Sequence, residues 1–305
     1  MEQELKYRTD LALESKQLYD RERGKDGEIQ GVVLDKVFYG EDIQVVRIEI
    51  LDERGEKVLG KSKGNYITIE VDGLFNNYVK ESDLEELKKR TSLALASELK
   101  TLIKFHYYLK VLVIGLGNDK VTPDSLGPYT VSKVKVTRHL FIMYEANGDD
   151  EMACVSGFIP GVTGSTGMET AELVKKAADV CDPEVIIVID SLAAREIQRI
   201  STTIQINDTG ISPGAGMGNM RSELSEKTMG RKVIAIGVPT VIDSRTLIMD
   251  TLQDCLQDPA EIDAYIKEKG QDMIVTSTDI DQVIKEFSDI IANGINIILH
   301  PGIYS

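Results

Sequence analysis

Two aspartates stand out for their settings. Asp124 lies in Thr122-Pro123-Asp124-Ser125-Leu126-Gly127, shortly after the apolar run Val111-Leu112-Val113-Ile114 and the turn Gly115-Leu116-Gly117-Asn118. Asp190 closes a second apolar run, Val185-Ile186-Ile187-Val188-Ile189. A buried strand that breaks into a glycine turn marks the carboxyl end of a parallel-sheet strand, and open α/β folds place their chemistry at that edge. Taken singly, Asp124 reads as a turn or cap residue, and Asp190 as the cap of a helix expected from Ser191 to Ile200. Taken together, both are expected in one cleft. Two close carboxylates do not easily ionise together, so one keeps a proton while the other serves as base. Such a pair activates water and protonates a leaving amine. With a third ligand, such as a histidine, the same pair would instead hold a metal ion. Spacing alone leaves both chemistries open.

Other motifs are weaker. Gly55-Glu56-Lys57-Val58-Leu59-Gly60-Lys61-Ser62 matches the phosphate-loop pattern G-x-x-x-x-G-K-[ST] letter for letter. That mechanism needs a strand before the loop and a helix after it. Here Lys63-Gly64-Asn65 leads straight into a strand pattern, so the segment is expected to be a β-turn. Gly115-Leu116-Gly117 begins a dinucleotide fingerprint, but Lys120 stands where the third glycine belongs. Ser165 lacks the G-x-S-x-G elbow, and His106, His139 and His300 are scattered without metalloprotease spacing.

The elements that must position the aspartates follow from periodicity. Residues 12–22 form a polar, helix-prone arm. Three short strands are expected at Gly31–Leu34, Ile43–Ile50 and Tyr66–Val71, with a turn at Glu53-Arg54-Gly55. A helix over 82–105 carries Leu84, Leu87, Leu95, Leu99 and Leu102 on one face, with Ser82 and Glu85 as its capping box. The stretch Leu126–Leu140 holds a short helix or strand. A helix Glu169–Cys181 stops at Asp182-Pro183. Residues 205–219 read as a long polar loop, of a length that is usually functional or mobile. Val233–Pro239 is another buried strand. A helix from about Asp279 to Ala292 precedes Ile295–Leu299, an apolar strand or buried end. The pattern predicts an α/β fold, a mostly parallel or mixed sheet flanked by helices, with a small β-rich elaboration over about 30–72 and one compact catalytic domain.

Composition sets limits. The 305 residues include 50 acids against 35 bases, a formal charge of −15. Phosphate contacts need clustered Lys and Arg, so direct nucleic-acid binding is not expected. Cys154, Cys181 and Cys255 form no CxxC pair, which suits a reducing compartment. The charged N-terminus carries no signal region, and no stretch reaches membrane-spanning length, so the expectation is a soluble intracellular protein with no membrane partner.

The sequence resembles the germination proteases of endospore-forming bacteria. The resemblance is carried by Tyr7–Ala12, Gly115–Asn118 with Thr122–Pro128, Val136–Leu140, Pro160–Val162 through Gly167–Thr170, and Ile189–Arg195. Thr202–Gln205, Asp208–Ile211, Gly237–Val241 and Ala292–Asn296 extend it. It implies an atypical aspartic-type endopeptidase without a cofactor, with Asp124 and Asp190 catalytic. It also implies a fold related to the hydrogenase maturation proteases, which bind metal through equivalent acids. The family's substrates are small acid-soluble spore proteins, degraded in the forespore or spore core, within the cytoplasm, as germination begins. The family assembles as a homotetramer and is made as a zymogen that removes its own N-terminal propeptide. The cut is expected after an acid, before an apolar residue followed by Ala. Asp10-Leu11-Ala12 fits, which makes residues 1–10 the propeptide and 11–305 the peptidase domain. Tyr7 departs from the pattern, since substrates commonly carry an acid four residues before the cut.

Overall fold

The computed structural model describes residues 10–23, 29–75, 80–214, 222–252, 264–266, 268, 270 and 273–304. In chain order the elements are α1 (Ala12–Arg23), β1 (Val32–Phe38), β2 (Ile43–Ile50), α2 (Glu53–Leu59), β3 (Gly64–Val71) and α3 (Glu81–Leu102). Then come β4 (Lys110–Gly115), α4 (Leu126–Lys133), α5 (Arg138–Met143), β5 (Cys154–Phe158), α6 (Thr163–Thr166), α7 (Thr170–Cys181) and β6 (Val185–Ala193). They are followed by β7 (Thr203–Asn207), α8 (Glu226–Met229), β8 (Lys232–Asp243), α9 (Ser244–Leu252), β9 (Ile274–Thr276) and α10 (Ile280–Leu299).

One sheet runs β1-β2-β3-β7-β8-β6-β4-β5, with β9 paired to β8. The four strands β5, β4, β6 and β8 are parallel, and β7, β3, β2 and β1 continue the same sheet antiparallel. The α/β class and the mixed sheet are therefore as the sequence predicts. The β-rich N-terminal part is joined to the core sheet edge to edge, through β3 and β7.

Strand alternation explains why the central strands are apolar throughout. Val111 and Val113 of β4, with Ile187 and Ile189 of β6, pack under α3 and α10. Leu112, Ile114, Ile186 and Val188 point to the other face, under Ala171, Val174 and Ala178 of α7. With both faces covered by helices, period-two alternation of polarity disappears. A third cluster packs α1 and α2 on Val46, Ile48 and Ile50 of β2.

Several local expectations are corrected. The segment 53–59 is a helix rather than a turn: the Asp52 carboxylate accepts from the Arg54 and Gly55 amides, and Gly60 closes it at φ 64°. Helix α3 starts at Glu81 without a side-chain cap, and Glu81 and Asp83 instead meet its dipole; Ser82 bonds Asp83, not the predicted box. No helix begins at Ser191. Strand β6 continues to Ala193 because β8 pairs with it that far, and only a short 3-10 turn follows at Ile197–Arg199. Residues 205–207, expected as the start of a loop, belong to β7, which spans Thr203–Asn207. The Leu126–Leu140 stretch resolves into α4 and the start of α5. Residues 295–299 continue α10, despite their β-branched character, because Ile280, Val283, Ile284, Phe287, Ile291, Ile295 and Ile298 form one helical stripe against α3. Gly294 lets α3 pack closely, since an added Cβ would lie 2.7 Å from Leu95 Cδ2 and that side chain would have to shift.

Helix α10 ends in a buried histidine whose Nε2 lies 2.9 Å from the Lys135 carbonyl. Burial lowers the pKa of His300 from its ordinary value of 6.5, and the Lys135 charge lowers it further against that hydrogen bond. The folded protein thus keeps this imidazole neutral while the unfolded chain takes up a proton near 6.5. The stabilising contribution is fully present above that pH and is lost as pH falls below it. Urea titrations should show stability declining below the ordinary histidine range, and His300→Gln should remove that part of the decline.

Candidate active site

Strand β4 stops at Gly115, opposite Ile189, whereas β6 runs on to Ala193. From β4 the chain leaves through α4, on one face, to β5; from β5 it returns through α7, on the other face, to β6. From β6 it moves away toward β7 and β8. The carboxyl ends of β4 and β6 thus form a topological switch point, where a crevice opens. Asp124 follows β4 there in a 3-10 turn, Thr122–Asp124, and Asp190 lies on β6 one residue past the last β4 pair.

Two glycines bring the loop against the strand. The Leu116 amide donates to the Ile189 carbonyl at 2.8 Å. A Cβ on Gly127 would sit 2.5 Å from Leu116 N and 2.6 Å from Ile189 O, and one on Gly115 would sit 2.5 Å from the Gly127 carbonyl carbon. Gly117 has φ 104°, the left-handed region, and a Cβ there would collide with the Asp124 carbonyl oxygen. That oxygen accepts the Asn118 amide at 2.8 Å, and the Thr240 hydroxyl of β8 donates to the Pro123 carbonyl at 2.7 Å. Asp124 is thereby fixed by backbone on both sides.

Asp190 is 5% exposed, and its Oδ1 accepts the Ser191 amide at 2.9 Å. It sits within the strand, not at a helix cap. Asp124 and Asp190 line one cavity of about 440 Å³, as the paired-carboxylate reading expects. Leu116 and Gly117, Gly161 and Val162, and Ile211–Gly214 contribute to its walls. The glycine connection at 161–167 and the loop after β7 therefore both serve this cavity. The Leu116 and Asn118 amides are already committed to backbone carbonyls.

Asp10 lines the same cavity. Its amide donates to the Ala193 carbonyl at 3.2 Å, and its Oδ2 accepts the Ala193 amide at 2.9 Å. Leu11 and Ala12 behind it are fully buried. The Asp10 carbonyl accepts from Lys61 Nζ at 3.1 Å and from Gln205 Nε2 at 3.3 Å. Further along α1, the buried Glu14 carboxylate accepts the Arg195 amide at 2.9 Å and the Glu196 amide at 2.9 Å. Arg199 reaches the same carboxylate at 3.8 Å and also pairs with Glu70 and Glu196. The helix read as a solvated arm is thus docked by its first turn onto the end of β6. Burial lowers the pKa of Lys61, with the Asp10 and Glu14 carboxylates acting in the opposite sense.

The remaining sequence candidates lie elsewhere. Lys61 follows Gly60 in a helix–turn–strand arrangement, the reverse of what a phosphate loop requires. His106 sits beside Glu184, His300 beneath Lys135, and His139 on α5, so no histidine lines the cavity. Among the described residues no three His, Cys, Asp or Glu side chains form a group able to hold a metal ion. The described residues therefore do not supply the donor set that the metal-site alternative needs. Cys154 and Cys181 carry free thiols, and Cys255 lies outside the described residues. Among the described residues no helix is long and apolar enough to cross a membrane. Sequence reading missed Lys61, Gln205 and Glu14 at this site. Lys61 had a signal of a kind, since it is the lysine of the discarded phosphate-loop match.

Residues 10–261 match a family model described as germination protease. A germination protease of Caldanaerobacter subterraneus subsp. tengcongensis is 43% identical over 97% of this chain and 95% of its own length. One from Clostridium tetani is 41% identical, covering 97% and 96%. One from Oceanobacillus iheyensis is 46% identical over 82% of this chain and 68% of its own.

The packing predicts a sharp contrast between two glycines. Gly127→Ala should lower unfolding free energy by about 1–3 kcal/mol in denaturant titrations, as overpacking against backbone does. Gly164→Ala, where an added Cβ meets nothing within 4 Å, should change it by less than about 0.5 kcal/mol.

Proposed function

This chain belongs to the germination protease family and is a peptidase, and we propose that it is an aspartic-type endopeptidase in which Asp124 and Asp190 share the acid and base roles. Water attacks the scissile carbonyl while one carboxylate removes its proton. The other carboxylic acid then protonates the leaving amine. The observation that carries this reading is the single cavity lined by Asp124, Asp190 and Asp10, the residue before the expected processing point.

We propose further that the chain is a zymogen which cuts its own Asp10–Leu11 bond, releasing residues 1–10. Asp10 is held at the end of β6 by two hydrogen bonds to Ala193, one through its amide and one through its carboxylate. While it stays there, part of the cavity is filled from within. Substrates are proposed to be small acid-soluble spore proteins of the forespore or spore core, cut after Glu or Asp, before an apolar residue followed by Ala. Asp10-Leu11-Ala12 is the internal example of that pattern. Asp124→Asn and Asp190→Asn should each slow cleavage of a Glu-Ile-Ala peptide, and appearance of the Leu11 N-terminus, by about 10²–10⁴-fold with an unchanged melting temperature. Near-wild-type cleavage by either variant, followed by mass spectrometry, would refute the assignment.

Assembly as a homotetramer is part of the same proposal. Ile142, Met143 and Tyr144, at the end of α5, are 61%, 66% and 74% exposed and form a contiguous apolar run suited to a subunit contact. Sedimentation should give four times the monomer mass, and Met143→Lys should shift it toward smaller species.

A further inference from the structure

Gly60-Lys61-Ser62 ends a phosphate-loop match that has no nucleotide geometry, yet its lysine is turned inward. We propose that Lys61 and Gln205 are catalytic residues for self-processing: a two-donor clamp that stabilises the oxyanion formed on Asp10 as the Asp10–Leu11 bond is cut. This rests on the preceding proposal that the bond is cut at the Asp124–Asp190 cavity.

The carbonyl oxygen of that bond accepts from Lys61 Nζ at 3.1 Å and from Gln205 Nε2 at 3.3 Å. The two donors come from separate parts of the sheet, Lys61 from the turn before β3 and Gln205 from β7. Gln205 is 3% exposed, and its Oε1 accepts the Ala12 amide at 3.2 Å, which turns Nε2 toward Asp10. One side chain therefore grips both sides of the bond. The acyl side is also fixed by Ala193, and the amine side by the burial of Leu11 and Ala12. Donors set at slightly long range from a ground-state carbonyl tighten as charge develops on its oxygen, which is the condition for selective transition-state stabilisation.

The step balances as a hydrolysis. The oxygen of water bonds to the Asp10 carbonyl carbon, and its proton passes to the basic member of the aspartate pair. The carbonyl π electrons move onto the oxygen, which becomes the anion held by the Lys61 ammonium and the Gln205 amide. The anion collapses, the bond to Leu11 N breaks, and the acidic member supplies the proton that makes the Leu11 amine. The Asp10 end leaves as a carboxylic acid.

Lys61 must be protonated to act. It faces the Asp10 carboxylate, the Glu14 carboxylate from α1, and the uncharged Gln205 from β7. Burial lowers its pKa against those two acids, so the alkaline limb of self-processing belongs to Lys61 and lies below the ordinary lysine range.

The test uses the full-length chain. Lys61→Met, Lys61→Arg and Gln205→Glu variants are incubated from acid to alkaline pH, and the product beginning at Leu11 is timed by intact mass. Hydrogen exchange at Leu11 and Ala12 is followed in parallel. Lys61→Met and Gln205→Glu should each slow processing about 10²–10³-fold while exchange protection stays at the wild-type level. Gln205→Glu keeps the acceptor for Ala12, removes the donor and sets a carboxylate beside the developing oxyanion. Lys61→Arg should retain most of the rate and move the alkaline limb upward. A wild-type rate in Lys61→Met, or a slower rate that appears only with lost protection at Leu11 and Ala12, would overturn the clamp and leave Lys61 an anchor. Asp190→Asn, run beside them, separates the two proposals: undiminished processing there overturns the aspartate reading, whatever the lysine variants do.

Discussion

The site depends on one backbone contact, the Leu116 amide on the Ile189 carbonyl. It forms only because nothing larger than hydrogen stands at Gly115 and Gly127, where a Cβ would lie 2.3–2.9 Å from backbone atoms, closer than the 3.0 Å that real Cβ contacts keep. Through it, the turn after β4 is pressed onto β6 just where β4 ends, and the two carboxylates come to share a cavity. A side chain at either glycine would wedge the turn away from the strand. The aspartates would remain in the sequence and lose their common cleft.

A second constraint is electrostatic. Glu14 carries a buried carboxylate onto the amides just past the end of β6, where Arg195 and Glu196 leave the strand. Amide donors at a strand end need partners once buried, and a carboxylate in the interior needs donors even more. Each satisfies the other, with Arg199 supplying positive charge nearby. Removing one partner would strand a buried charge, which costs more than the pair contributes net. The consequence is positional: α1 is locked in register with β6, so Asp10, two residues before the helix, is delivered to the cavity.

These two constraints meet at Asp10. Its backbone pairs with Ala193, its carbonyl receives Lys61 and Gln205, and the residues after it are buried. The Asp10–Leu11 peptide bond is thus held on both sides, just before α1 begins at Ala12. The cavity and the Asp10 segment that lines it are thus built together, from the first turn of α1, the turn before β3, and the ends of β4, β6 and β7.

The sequence by itself determined the α/β class, the central strands and the paired aspartates, because these follow from local signals. Apolar runs of strand length mark a sheet covered on both faces, and glycine turns mark its edge. The family resemblance placed Asp10-Leu11 beside them. Tertiary structure decided whatever depended on a partner distant in the chain. Residues 191–193 stay in β6 because β8 is beside them, and residues 295–299 stay helical because α3 covers their stripe. The polar first turn of α1 is buried because Arg195 and Glu196 offer it amides, 181 and 182 residues away. Lys61, legible only as a misleading phosphate motif, gained its place from Asp10, 51 residues earlier. Periodicity reports which face of an element is apolar; it carries no record of which remote backbone atom a polar side chain will meet.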